Sequence, residues 1–167
     1  QNCDCPNNLV LNPSFELGTS NWTATAPYIV FQADPFGAQC GANAGQQDGT
    51  SNTNLATFYQ DINLGGGSQV QLKFKAGTHV PAEIAKFGLI FFNGTTRLDS
   101  SLVEVDHILG ATGTMQDYLI TATAPAGTTK VRVIGKTGLD WLKVDLICLT
   151  VIGTPTASIG NRIWFDA

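Results

Sequence analysis

Val70-Gln-Leu-Lys-Phe-Lys-Ala76 decides the fold. Val70, Leu72, Phe74 and Ala76 fall on one side of an extended chain, and Gln71, Lys73 and Lys75 fall on the other. A period of two with one apolar side is the pattern of a half-buried strand in an antiparallel sheet. Working outward, shorter versions of it run at 9–11, 28–32, 55–62, 87–92, 101–105, 118–124, 130–134 and 141–151. Turn-forming residues separate them, including Gly65-Gly66-Gly67, Asn93-Gly94 and Pro125-Ala126-Gly127. About nine short strands at this spacing predict an all-β, antiparallel β-sandwich or jelly roll. No segment carries a capped 3.6-residue repeat, and residues 80–86 have room for one helical turn at most.

Composition agrees with that reading. The chain has 167 residues, enough for one ordinary core, with 43% hydrophobic but only 13% charged residues. Polarity comes from 19 Thr, 11 Asn and 18 Gly, which favour strands and turns over helices. A net charge of -4 without any run of Lys or Arg argues against nucleic acid as a partner. The apolar runs, such as residues 89–92, are far too short for membrane insertion. Four cysteines in such a chain predict disulfides and an oxidising, extracellular location, and Gln1 reads as the first residue of an exported, mature form. Cys3 and Cys5 are too close in sequence to bond each other comfortably, so each is expected to pair with Cys40 or Cys148, in an order the sequence leaves open. Their spacing does not fit a zinc site.

Two units are expected: a sandwich domain over residues 1–152, and a linker plus connecting strand over 153–167. In the second, Gly153-Thr-Pro-Thr-Ala-Ser158 reads as the linker, and Ile159, Ile163, Trp164 and Phe165 need something to pack against. Period-two counting puts Ile159, Ile163 and Phe165 on one face and Trp164 on the other. Such a strand could fold back on the sandwich, begin a second domain, or add itself to a neighbouring molecule.

The opening Asn8-Leu-Val-Leu-Asn-Pro-Ser-Phe-Glu-Leu-Gly-Thr-Ser-Asn-Trp-Thr23 resembles the start of jelly-roll carbohydrate-binding modules of the family 4, 9 and 22 type. Residues 118–133 and Lys143-Val-Asp-Leu-Ile-Cys-Leu149 look like the closing strands of the same family, so the resemblance covers roughly 8–151. It implies a polysaccharide or other glycan as partner. It also implies a structural calcium (Ca2+) as cofactor, held by Glu16 and Asp145. Independently of any family, Asp145 stands among Val144, Leu146 and Ile147, where a carboxylate is costly unless it is bound to a metal, paired with Lys143 or Arg132, or exposed on an edge strand. Ile159-Gly-Asn-Arg-Ile-Trp-Phe-Asp166 resembles the first strand of B-type repeats in bacterial surface proteins, which implies a cell-surface setting.

Glycan recognition by these folds uses aromatic rings against the C–H faces of sugars, with polar side chains on the hydroxyls. Tyr59 and Trp141 are the candidates, because each alternates with apolar residues and is expected to project from the solvent-facing side of its strand. Trp22 is expected to pack in the core. Catalysis has no motif: no pair of carboxyl groups in a recognisable pattern, no Gly-x-Ser-x-Gly elbow, and His79 and His107 without partners in the sequence. The expected function is therefore a secreted, non-catalytic carbohydrate-binding module. The alternative is a structural or adhesive subunit joined to its neighbours through the C-terminal strand.

Overall fold

A computed structural model describes residues 3–81, 84–108 and 113–155. Ten strands run through them: β1 (Thr23–Thr25), β2 (Tyr28–Asp34), β3 (Ala44–Gly49), β4 (Ala56–Asn63), β5 (Gln69–Thr78), β6 (Ala85–Asn93), β7 (Thr96–Glu104), β8 (Gln116–Thr123), β9 (Lys130–Thr137) and β10 (Asp140–Gly153). They form two five-stranded sheets, one ordered β1-β4-β9-β6-β7 and the other β2-β3-β10-β5-β8, and every pair of neighbours is antiparallel. We call them the first and second sheet.

The quoted stretch becomes the middle of β5, with Val70, Leu72, Phe74 and Ala76 buried between the sheets. Facing them are Phe58 of β4, Phe87 and Leu89 of β6, and Val131 and Val133 of β9. Rings fill most of the space. Phe74 lies 4.5 Å from Phe87 and Phe58 lies 6.1 Å from Phe87, centroid to centroid. Gly135 makes room for this packing, since a Cβ there would come within 2.4 Å of the Phe58 ring.

Three expectations need correction. Residues 9–11 are not a strand: Leu9 donates its N–H to the Leu149 carbonyl at 2.9 Å, and Leu11 exchanges main-chain bonds with the Gln60 amide, so the segment runs over the sandwich as a tether. The sequence pattern missed β1 and β3. β3 is Ala-Gly-Gln-Gln-Asp-Gly, without a β-branched or aromatic residue, yet it lies between β2 and β10 and is almost wholly buried. Ladder bonds on both sides and the cover given by a loop over residues 35–43 outweigh its weak intrinsic preference. The helical turn considered for 80–86 gives way at its end to β6, which begins at Ala85. Ile159, Ile163, Trp164 and Phe165 lie outside the described residues, as does the proposed connecting strand.

The disulfides join Cys3 to Cys40 and Cys5 to Cys148, and no cysteine among the described residues is free. The first spans 37 residues of sequence and the second 143, so both close long loops and bind the N-terminal arm to the outer side of the second sheet. Bonds of this kind fit an oxidising, extracellular compartment. Non-reducing mass spectrometry should find no free thiol and both of these pairs. Replacing Cys5 and Cys148 together by Ser should cost about 2–4 kcal/mol of unfolding free energy in a urea titration.

Candidate functional site

Strand alternation and sheet order decide where each candidate residue points. In the first sheet Ala56, Phe58 and Gln60 face inward, so Thr57, Tyr59 and Asp61 face out from β4. In the second sheet Leu142 and Val144 face the core, so Trp141 and Lys143 point out from the opposite side of the molecule. Tyr59 and Trp141 both leave their strands on the outer side, as expected, but on opposite faces of the sandwich. They cannot form one platform.

Tyr59 is part of a layered group. The Arg132 guanidinium lies 3.9 Å over its ring, and Arg132 donates to both oxygens of Asp61, at 2.7 and 3.0 Å. Lys130 also reaches Asp61, at 3.1 Å, and Phe92 lies under both cations, 5.2 Å from the Lys130 ammonium and 4.9 Å from the Arg132 guanidinium. Burial alone would raise the Asp61 pKa, but the bonds from Arg132 and Lys130 outweigh it and hold the carboxyl below its ordinary value. Beside the ring is a shallow hollow of about 360 Å³ lined by Leu11, Asn21, Thr23, Tyr59, Gln60 and Asp61. It offers hydroxyl, amide and carboxylate groups next to a fixed aromatic edge.

Trp141 lies in a tighter setting. His79 stacks on it with centroids 4.9 Å apart, and His79 lies 3.4 Å from Asp140. Burial raises the Asp48 pKa, partly offset by a hydrogen bond from Trp141, and the nearby Asp140 adds to the rise. One face of the indole is thus already covered by a side chain of the same molecule.

Glu16 and Asp145 meet on one loop. Phe15 is fully buried, and Gly45 permits this because a Cβ there would come within 2.4 Å of the Phe15 ring. Glu16, the next residue, turns outward and accepts the N–H groups of Ala42 and Asn43 at 2.7 and 2.9 Å. Asp145 is fully buried and accepts from Gln39 at 2.7 Å, Cys40 at 3.2 Å and Leu146 at 2.7 Å. Burial raises its pKa even so, against the bonds from those three amides and from Ser14. The pairing of Asp145 with Lys143 or Arg132 does not occur: Lys143 reaches Asp34 and the Phe36 carbonyl, and Arg132 reaches Asp61. Among the described residues no three His, Cys, Asp or Glu side chains gather in a way that could hold a metal ion.

This donor set does not fit a calcium ion shared by Glu16 and Asp145. Calcium requires six to eight oxygen ligands, and here both carboxylates face N–H hydrogens, the complement of an anion. The loop that a metal would tie down is held by the two carboxylates directly and by the Cys3–Cys40 disulfide.

No protein-family model and no curated protein matches the sequence. Solved structures match it in fold. The enzymatically active domain of tailspike protein 4 from bacteriophage CBA120 superposes with a TM-score of 0.69 and 17% identity over 87% of this chain, which spans only 22% of that protein. Family 16 carbohydrate-binding module-2 gives 0.67 and 16% identity over 86% of this chain and 99% of its own. TmCBM61, solved in complex with beta-1,4-galactotriose, gives 0.59 and 19% identity over 86% and 98%. At these identities the likeness is one of fold: the chain has the jelly-roll sandwich of carbohydrate-binding modules.

Two measurements check the metal-free reading. Melting in excess EDTA and in millimolar calcium should give the same midpoint within the error of the scan. Replacing Asp145 by Ala, which leaves the Gln39 and Cys40 amides unpaired, should cost about 3 kcal/mol.

Proposed function

We propose that this protein is an extracellular glycan-binding module that makes its contact through the outer face of the first sheet, centred on Tyr59. The observation that carries the reading is the Asp61–Arg132–Tyr59 stack, which fixes an aromatic ring beside a hollow of polar side chains. A pre-positioned ring costs a sugar ligand little ordering entropy, and the neighbouring Asn21, Thr23 and Asp61 can bond to hydroxyls. The jelly-roll fold shared with carbohydrate-binding modules supports the same reading. The chain acts by binding, without chemistry of its own: Asp61, the carboxylate nearest the ring, is committed to Arg132 and Lys130 and is kept ionised by them, a poor state for a general acid.

Trp141 is the weaker candidate for ligand contact, because His79 already occupies one of its faces and its indole N–H is engaged by Asp48. Tyr59→Ala should abolish retention of the protein on insoluble or immobilised polysaccharide while leaving the melting temperature within a few degrees. Trp141→Ala should leave retention intact. If the two variants behave the other way round, the site belongs to the second sheet, and if the unmodified chain binds nothing across a broad glycan panel, the reading fails.

A further inference from the structure

Five of the chain's nine Lys and Arg residues, namely Lys86, Arg97, Lys130, Arg132 and Lys136, stand on the outer face of the first sheet. The concentration is unexpected in a protein whose net charge is -4. Asp61 and Glu104 are the acids in the same outward rows, and Asp61 is shared by Arg132 and Lys130. Lys86 and Lys136 are different. They are register partners on adjacent strands, β6 and β9, so two like charges stand directly opposite each other. Glu104 is next in the row, in register with Lys86, yet no ion pair within 4.0 Å joins either lysine to a carboxylate among the described residues. Arg97 reaches Ser100 at 2.7 Å and is near enough to act on Lys136. Burial, then Arg97 and Lys86, lowers the Lys136 pKa, so the two lysines repel each other without an ion pair to either among the described residues. Beneath these side chains are Ile90 and Ile134, which point away from the core but are only 5% and 4% exposed. The long side chains thus share the outer face with an apolar floor, and Ile134 is in register with Tyr59.

We propose that this face takes an acidic polysaccharide, with Lys86, Lys136 and Arg97 binding the carboxylate or sulfate groups and Tyr59 the sugar ring. The proposal rests on the glycan-binding reading above and narrows it to a substrate class. An anion placed between Lys86 and Lys136 turns an opposed pair into a shared contact, which a neutral sugar cannot do.

The test uses the whole chain and four soluble probes: polygalacturonate for carboxylates, dextran sulfate for sulfate esters, neutral galactan, and polyglutamate as an anionic polymer without sugar. At low salt the protein should bind at least one acidic polysaccharide about tenfold more tightly than galactan, and the preference should shrink as salt rises to 0.5 M. The tighter of the two acidic probes identifies the anionic group. A Lys86→Gln/Lys136→Gln variant should lose the preference without a fall in melting temperature, since it removes a repulsion, whereas Lys73→Gln on the second sheet should keep it. Equal binding of acidic and neutral polysaccharides would overturn the proposal and leave the glycan-binding reading standing. Binding of polyglutamate as tightly as the preferred acidic polysaccharide would also overturn it. Absence of binding to any polysaccharide would remove both. The salt series on the unmodified chain decides the matter even if the double variant does not fold.

Discussion

A carboxylate that is fully out of water organises one whole side of this protein. Asp145 sits on β10 with both oxygens engaged by main-chain N–H groups, and each partner reports a different commitment of the chain. The amides of Gln39 and Cys40 belong to the loop that crosses the second sheet, and the Leu146 amide belongs to a bulge at which the β10 register shifts against β5. Leu146 adopts φ 52°, a conformation that a bulky residue takes only when its surroundings impose it. Removing a charge from water costs several kcal/mol unless the site returns hydrogen bonds of equal worth, so loop, bulge and N-terminal Ser14 have to arrive together. The disulfide from Cys3 to Cys40 ends in the same loop and makes that arrangement covalent.

The N-terminal motif gains a physical meaning from the same point. In Ser14-Phe15-Glu16, the first residue is buried beside Asp145 and Cys40, the second enters the core and stacks on Trp22 with centroids 5.2 Å apart, and the third clamps the loop from outside. Three consecutive residues therefore serve three environments, which an extended strand cannot provide. Phe15 accordingly adopts φ 57°, and Gly45 leaves the space its ring fills. A motif that marks the scaffold in the sequence is thus explained by geometry, with no metal required for the explanation.

Strands with alternating apolar residues were legible without a structure. β5, β8 and β10 carry their pattern openly because one side of each packs against rings and branched aliphatics. β3 was not legible, since its Gln46 and Gln47 are buried for reasons of tertiary context: Gln47 bonds to Thr137 and to the Thr57 carbonyl, and Gln46 is buried in register with Lys143 on the outward side. Outward projection of Tyr59 and Trp141 followed from alternation, but their separation onto opposite faces did not. Alternation says which side of a strand a residue takes, and only sheet order says which sheet that strand joins. The pairing of the cysteines was hidden for the same reason, because it depends on where β10 passes relative to the loop containing Cys40.

The two outer faces of the sandwich are consequently unequal. The second sheet is overlaid by the 35–43 loop and the N-terminal arm, and its outward Lys143 and Gln46 are buried, with burial lowering the Lys143 pKa against the pull of Asp34. Among the described buried side-chain nitrogen and oxygen atoms, Gln46 Oε1 alone is left without a hydrogen-bond partner. Among the described residues no comparable loop lies over the first sheet, where Asp61 draws Arg132 and Lys130 together beside Tyr59 and leaves Lys86 and Lys136 opposed. Coulomb repulsion between half-exposed ammonium groups is weak in water and modest in cost, so folding tolerates it. It becomes significant where a polymer excludes that water, because a repulsion that folding leaves in place is then available to favour binding of an anion.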